Sequence, residues 1–379
     1  MATLSTLLAT WPKGLWESII KAFYNGIPNY IWALIVFIIV LKLILFPLDY
    51  FQRAASTKTT RMQAYLKPEL DKLQKRYGTN QKLLQEKQNE LYKKHNFNMG
   101  GSCAVMFINL ILTVVIFFTL YSGLGKIATF KIQDQYDQLE KRYDIAIAEE
   151  NARIYEANYE GLGLAFDEAL LQFNDDEKLQ AQTYAQNEVA ELYEKIKDSW
   201  LWVKNIWRSD TKQSAIPSFE EYTSAAKIKY KDIKEDGVVI KTAKEQKAED
   251  KAKYNTVMAQ VKKEYKGGNG LYILAVLAVL VNFLSQFLMR LSQRPPKEKR
   301  EQMKQQGQKK GWQSYIMLAL MPLMMLFFAM TSNAMFAVYI IINSLMASIL
   351  TPLSTFIINK VEKARDKKEA EKIRVDYRR

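Results

Sequence analysis

Long apolar stretches are the feature that most restricts how this 379-residue chain can fold. They alternate with strongly charged segments, so the apolar residues lie in blocks and are not spread as a soluble core would need. A helix of about 20 apolar residues is long enough to cross the roughly 30 Å hydrocarbon layer of a membrane. The sequence therefore predicts five transmembrane helices, at residues 30–48, 104–121, 271–289, 315–330 and 334–353.

The segments between these stretches also have helical patterns, which predicts an all-α membrane protein as the fold class. An amphipathic interfacial helix is expected within residues 1–29, and a cytoplasmic helical hairpin within 49–103. A long, mostly helical extracellular insertion is expected at 122–270. The predicted order is completed by a cytoplasmic loop at 290–314 and a basic cytoplasmic tail at 354–379.

Within the predicted insertion, two patterns bear on the fold. Large apolar residues recur at heptad-like spacing, which predicts a helix packed along one face. Glycines just before residue 271 predict a hinge into the third apolar stretch, because glycine permits backbone conformations closed to other residues. The heptad-like residues are Ile132, Tyr136, Leu139 and Tyr143, and the glycines are Gly267, Gly268 and Gly270.

Loop charge predicts the orientation in the membrane, since cytoplasmic loops carry an excess of lysine and arginine. Residues 49–101 contain 11 Lys/Arg and 5 Asp/Glu, residues 290–311 contain 8 and 2, and residues 360–379 contain 9 and 5. Residues 122–269 contain 23 and 27 and are net acidic. The amino terminus is therefore predicted outside and the carboxyl terminus in the cytoplasm.

Several classes of chemistry lack the residues they require. Cys103 is the single cysteine and His95 the single histidine, so neither an intrachain disulfide nor a cysteine-pair zinc site can form. The sequence has no nucleotide-binding glycine loop. The net charge of +14 lies beside apolar stretches, where it suits cytoplasmic loops better than DNA binding. A protein that is not an enzyme, with no metal, cofactor or DNA partner, is predicted.

Lys42 is the sharpest functional signal, because it interrupts an otherwise apolar helix. An ammonium at the centre of a membrane helix costs roughly 2.5 to 3.5 kcal/mol on insertion scales, so it requires water or a partner. Alternatively, its stem reaches towards the membrane surface, which lies about 9 Å away along the helix. The residue pattern leaves both interpretations open.

Other polar residues also occur in the predicted spans. Each one alone is typical of a hydrogen bond between helices. If they gather around Lys42, they line a hydrated cavity within the membrane, and the absence of an acidic residue from every predicted span then makes an acidic substrate group the expected partner of Lys42. The candidate groove residues are Lys42, Asn109, Thr113, Asn282, Ser285, Gln286 and Asn343.

Several motifs, in their order along the chain, resemble the YidC/Oxa/Alb membrane protein insertases, of the type without a large amino-terminal outer domain. Phe46-Pro47-Leu48 and Lys67-Pro68-Glu69-Leu70 are similar to the family's run from the first span into its cytoplasmic hairpin. The segment at 199–205 resembles its tryptophan-containing outer loop, and 321–328 resembles its fourth span. The family's functional arginine falls on Lys42, and Asn109 stands where glutamine is common.

The resemblance implies a bacterial plasma-membrane protein that moves nascent membrane proteins from the cytoplasm into the bilayer through a hydrophilic groove, without nucleotide hydrolysis. Implied partners are nascent membrane proteins and lipids, together with the Sec translocon, the ribosome or the signal recognition machinery. Two alternatives stay open: a small-solute transporter or channel, and an adhesion or sensory protein that acts through its extracellular segment.

Overall fold

The computed structural model describes residues 9–95, 99–235, 238–292 and 312–376. Its helices are α1 (Leu15–Gly26), α2 (Tyr30–Tyr77), α3 (Gln81–Lys94), α4 (Met99–Asn158), α5 (Phe166–Gln172), α6 (Asp175–Ile196), α7 (Phe219–Ala225), α8 (Ala243–Val257), α9 (Ala259–Glu264), α10 (Ile273–Ser292), α11 (Trp312–Thr331) and α12 (Ala334–Asp376). Strands β1 (Ile233–Glu235) and β2 (Val238–Lys241) pair antiparallel, so a small β-hairpin stands within the helical fold that the sequence predicted.

The chain divides into two compact units. The lobe unit contains Met1–Leu34, Tyr121–Val279 and Leu323–Tyr339. The helix unit contains Ile35–Leu120, Leu280–Pro322 and Ile340–Arg379.

Three helices are long and apolar enough to cross a membrane, within Tyr30–Thr59, Ala104–Asn158 and Ala334–Ala364, among the residues that the structure describes. Ile273–Leu288 is a shorter apolar segment of α10. Apolar side chains along α4 stay exposed, as lipid-facing residues do. The prediction of a multi-pass, mostly helical membrane protein is therefore confirmed. The count of five spans stays a prediction.

Helix α2 continues well beyond the apolar stretch that begins it. It has 48 residues, about 72 Å of helix, and passes through Pro47 and Pro68 without ending. After a turn, Asn80 caps α3 by accepting a hydrogen bond from the Leu83 backbone N–H at 3.1 Å. Leu66 of α2 packs with Leu91 and Tyr92 of α3, so the two helices form a hairpin with its own small core.

The lobe unit has a conventional buried core. Tyr136, Leu139 and Tyr143 of α4 pack against residues of α6, α7, α8 and α9. The heptad-like spacing in the sequence therefore marks a real packing face, although Ile132 is only half-buried. Side-chain caps fix where α6, α7 and α8 begin: Asn174, Ser218 and Thr242 each exchange hydrogen bonds with a glutamate three residues later.

Two long segments of the lobe unit are each closed by a contact between their first and last residues. The segment between 131 and 198 is closed by an ion pair from Lys131 to Asp198, at 3.5 Å. The segment between 214 and 268 is closed by a backbone bridge between Ser214 and Gly268. Residues of both segments form the apolar core of the lobe unit, so the two segments fold as one structure.

The glycines of the predicted hinge are closely packed in this structure, and movement at this point stays a prediction. A Cβ on Gly268 would lie 2.8 Å from the Lys212 Cα, and one on Gly270 would overlap the Asp210 carboxylate. Gly267 has a φ of 96°, which favours glycine. These glycines permit close backbone packing at the start of α10, and therefore mark a tightly bonded junction.

Helix α1 carries a buried acidic residue. Glu17 lies against α4, where its Oε1 is 3.1 Å from Lys126 Nζ, and its backbone carbonyl accepts a hydrogen bond from Trp11 Nε1. Ile20 is buried as well. The helix therefore also packs on protein along part of its surface, whereas the sequence predicted a helix lying in the membrane interface.

Candidate functional site

A polar face runs along α2 in the helix unit. Lys42, Asp49 and Arg53 are separated by 7 and 4 residues, which places them within about 40° of one another around the helix. Lys42 is half-buried and lies in the electrostatic fields of both Asp49 and Arg53. This face therefore contains two cations and one anion within a helix that the sequence suggested holds a single charge.

Asp49 corrects one step of the sequence argument. The first span was predicted to end at residue 48, which left Lys42 with no acidic neighbour in any span. Helix α2 continues unbroken past residue 48, and the candidate membrane helix Tyr30–Thr59 includes Asp49. Asp49 therefore lies on the same helix face, about 10 Å along the axis from Lys42, and partly offsets its charge. No hydrogen bond or ion pair of Lys42 occurs in the part of the chain that the structure describes.

Arg53 connects the polar face of α2 to α12. One guanidinium nitrogen donates a hydrogen bond to Thr351 Oγ1 at 2.7 Å. Thr351 is buried, at 1% exposure, and a charged donor makes this bond stronger than one between neutral groups. The bond fixes α12 beside α2 at this level.

Asn109 joins α4 to the same part of α2. Its Nδ2 donates to Gln52 Oε1 at 3.1 Å, one residue before Arg53. Thr113 is exposed, and its hydroxyl donates to the Asn109 backbone carbonyl at 2.8 Å. Of these two candidate residues, Asn109 makes a contact between helices, and Thr113 makes one within its own helix.

Asn282 joins α10 to α12. Its Nδ2 donates to Ser344 Oγ at 3.2 Å, and Gln286 Nε2 donates to Asn282 Oδ1 at 2.8 Å. Ser285 is buried on the same helix, whereas Asn343 is half-buried. The bond from α10 thus goes to Ser344, the neighbour of the candidate Asn343.

Residues outside the candidate set therefore complete the polar contacts: Gln52 and Arg53 on α2, and Ser344 and Thr351 on α12. A periodic signal was available in the sequence, because Ser344, Ser348, Thr351 and Thr355 recur at the three- and four-residue spacing of one helix face. Arg53 was missed because it lies beyond the apolar stretch. In the residues described, no group of three or more His, Cys, Asp or Glu side chains could hold a metal ion.

Comparison with known proteins gives a partial match. Residues 22–158 match the protein family described as 60Kd inner membrane protein. The matched region contains α2, α3 and α4, and with them Lys42, Asp49, Arg53 and Asn109.

Similar proteins include the membrane protein insertase YidC of Leptospira interrogans serogroup Icterohaemorrhagiae serovar Lai, 37% identical over 108 residues, which are 28% of this chain and 16% of that protein. The YidC of Stenotrophomonas maltophilia K279a is 30% identical over 116 residues, 31% of this chain and 19% of that protein. The YidC of Helicobacter pylori 26695 is 31% identical over 118 residues, 31% of this chain and 20% of that protein.

The matched part of the chain thus spans a fifth or less of each relative's length. No solved structure matches. The family match confirms the resemblance to the YidC/Oxa/Alb insertases over residues 22–158, which include the motifs at 46–48 and 67–70.

Proposed function

We propose that this chain is a membrane protein insertase, which transfers nascent membrane proteins from the cytoplasm into the lipid bilayer. The observation that carries the proposal is the polar face of α2, where Lys42, Asp49 and Arg53 occupy one side of a long apolar helix. The similarity to proteins named membrane protein insertase over the same helix supports it.

The proposed mechanism needs no covalent step. A hydrophilic segment of the client enters along the polar face, and its carboxylates are attracted to Lys42, whose field Asp49 only partly offsets. Apolar segments of the client then move into lipid. Burial of about 20 apolar residues provides the driving force, at roughly 25 cal/mol per Å² of apolar surface.

The candidate groove residues have two roles in this proposal. Lys42 contacts the client. Asn109 and Asn282 hold α4 and α10 beside α2 and α12 through their bonds to Gln52 and Ser344, which leaves the substrate role of Asn109, Thr113, Asn282, Ser285, Gln286 and Asn343 to be tested by substitution.

Location and partners follow from the same proposal. The protein would lie in a bacterial plasma membrane with its amino terminus outside and its carboxyl terminus in the cytoplasm. The α2–α3 hairpin and the basic tail would then meet the client, together with the Sec translocon, the ribosome or signal recognition machinery. The lobe unit would face outside.

Insertion into liposomes tests the proposal directly. The full chain would be reconstituted without Sec components, and a single-spanning client with an acidic outer tail would be synthesised in its presence. We expect the wild-type chain to protect the tail from added protease, and Lys42→Ala to protect it about fivefold less, the effect of losing on the order of 1 kcal/mol of attraction. Lys42→Arg should retain most of the activity because the charge is kept.

Lys229→Ala is the matched control, since it removes the same charge from an exposed lysine of the lobe unit. Wild-type protection no better than that of empty liposomes would contradict the insertase proposal. Full activity of Lys42→Ala would contradict the role of Lys42 alone.

A further inference from the structure

One short loop contacts the beginnings of two apolar helices. This loop, residues 205–210, is called the clamp loop. Its last residue, Asp210, accepts hydrogen bonds at the start of α10 from the backbone N–H of Leu271 to Oδ1, at 2.9 Å, and of Leu274 to Oδ2, at 2.6 Å. The Asp210 backbone carbonyl also accepts one from Tyr272 N–H, at 3.0 Å.

The same loop satisfies the first turn of α12. The backbone N–H of Ala334 donates to the Arg208 carbonyl at 2.8 Å, and that of Met335 donates to the Ile206 carbonyl at 3.3 Å. The first N–H groups of a helix have no partner within the helix, and are normally satisfied by a local cap or by water. Here the partners of Ala334 and Met335 come from a distant part of the chain, whereas Asn333 Oδ1 caps the Phe336 N–H locally at 3.0 Å. The starts of α10 and α12 therefore share one anchor.

The clamp loop is itself firmly held. Asn205 and Asn269 are both buried. The Asn269 side chain bonds both backbone groups of Asn205: its Oδ1 accepts from the Asn205 N–H at 2.7 Å, and its Nδ2 donates to the Asn205 carbonyl at 2.8 Å. Arg208 donates two hydrogen bonds to Glu221, at 2.5 and 2.7 Å, which attaches the loop to the start of α7. The anchor therefore belongs to the folded lobe unit.

We infer that Asp210 is a positioning residue that ties the starts of α10 and α12 into one body. Asp210 is 2% exposed, and a carboxylate with this burial needs the N–H groups around it. Its negative charge also suits the positive end of the α10 dipole. A side chain with no acceptor atom, such as alanine, would leave the N–H groups of Leu271 and Leu274 without this acceptor. We also infer that client insertion requires these two helix ends to be fixed, and this part of the inference rests on the proposed function.

A distance measurement on the full chain tests the inference without an insertion assay. Nitroxide labels would be attached at Leu271→Cys and Thr331→Cys, two exposed positions beside the starts of α10 and α12, in a chain with Cys103→Ser. Pulsed electron paramagnetic resonance in liposomes should give one narrow distance. Asp210→Ala should lose the narrow distance, and Asp210→Asn should retain it in part because the amide oxygen can still accept one of the two bonds.

Asn174→Ala is the matched control, because it removes a side-chain cap from α6, elsewhere in the lobe unit, and should leave the distance unchanged. An unchanged narrow distance in Asp210→Ala would overturn the inference. The same liposomes would be used for client insertion, where we expect a several-fold loss in Asp210→Ala and a smaller loss in Asp210→Asn.

The two readouts separate the two proposals. If the distance broadens and insertion is unaffected, the positioning role in insertion is overturned. If the wild-type chain gives the narrow distance and inserts no client, the proposed function fails while the anchor on α10 and α12 stands.

Discussion

The two units of this protein differ in how their large apolar side chains are exposed. In the lobe unit, Leu139 and Tyr254 are each 1% exposed and form part of an apolar core. In the helix unit, Leu110 and Ile111 of α4 are 54% and 60% exposed, whereas Thr351 is buried. A buried apolar core stabilises a fold in water. Exposed apolar residues instead suit lipid, where they carry no penalty and buried polar residues hold helices together.

The largest difference that we expect between the two units is in the loss of stability when a leucine side chain is shortened to alanine. Leu139→Ala should lower the free energy of unfolding of the lobe unit by about 2 to 5 kcal/mol, because it leaves a cavity in a packed core. Leu110→Ala removes the same atoms from an exposed position and should lower stability by less than about 0.5 kcal/mol. Thermal unfolding in detergent, followed by circular dichroism, measures both. Equal losses would show that the exposed face of α4 is packed against protein.

An introduced carboxylate should instead have the larger effect in the helix unit and the smaller effect in the lobe unit. Ile111→Asp places a carboxylate in the apolar stretch of α4 and should disfavour membrane integration by roughly 2.5 to 3.5 kcal/mol. Leu171→Asp places the same group at a lobe position that is 86% exposed, where it should have little effect. Carbonate extraction of membranes compares the integrated fractions. Normal integration of Ile111→Asp would contradict the assignment of this stretch to lipid.

The smallest expected effect is a pH dependence confined to the lobe unit. Burial alone would raise the pKa of Glu221, but its hydrogen bonds from Arg208 and from the Ser218 backbone lower that pKa below its usual value. The ionised Glu221 side chain therefore stabilises the folded lobe unit fully above the ordinary glutamate pKa, and this stabilisation is lost as pH falls through the lowered pKa. A partly exposed pair contributes only about 0.2 to 1 kcal/mol.

Lobe unfolding temperature measured from pH 7 down to pH 3 tests this expectation. The temperature should fall at the acid end, and Glu221→Gln should show a lower value at pH 7 with a shallower decline. An identical decline in Glu221→Gln would assign the acid sensitivity to other carboxylates.

Some of the fold could be predicted from sequence because it depends on local periodicity. Apolar length identified the membrane helices, and the spacing of Tyr136, Leu139 and Tyr143 identified the lobe face of α4. The sequence assigned the residues of α2 to a first span and to a helical hairpin arm, whereas α2 continues through Pro47 as one helix, although a proline usually ends or kinks a helix. The close packing at Gly268 and Gly270 was not predicted, because a glycine in a sequence is compatible with a flexible joint or with a close backbone approach, and the neighbours Lys212 and Asp210 are not evident from the sequence.

The sequence named candidate site residues, but it did not reveal their hydrogen-bond partners. Lys42, Asn109 and Asn282 all lie in the helix unit, and two of the three bond to another helix. Their partners depend on the rotation and register of neighbouring helices, which one sequence does not encode locally. The hydrogen bond of Arg53 was also not predictable from local sequence, because its partner Thr351 is 298 residues away.

The shared core of the two closed lobe segments affects how the chain is made. Tyr136 and Leu139 are synthesised early, but their packing partners include Tyr254, and Val261 belongs to the same core. At about 5 to 20 residues per second, the ribosome needs on the order of 6 to 25 seconds to proceed from Tyr136 to Val261. During that interval the apolar face of α4 has been made without all of its partners. The lobe core can therefore be completed only after Val261 has been synthesised, and a chain truncated between Leu139 and Tyr254 would lack part of it.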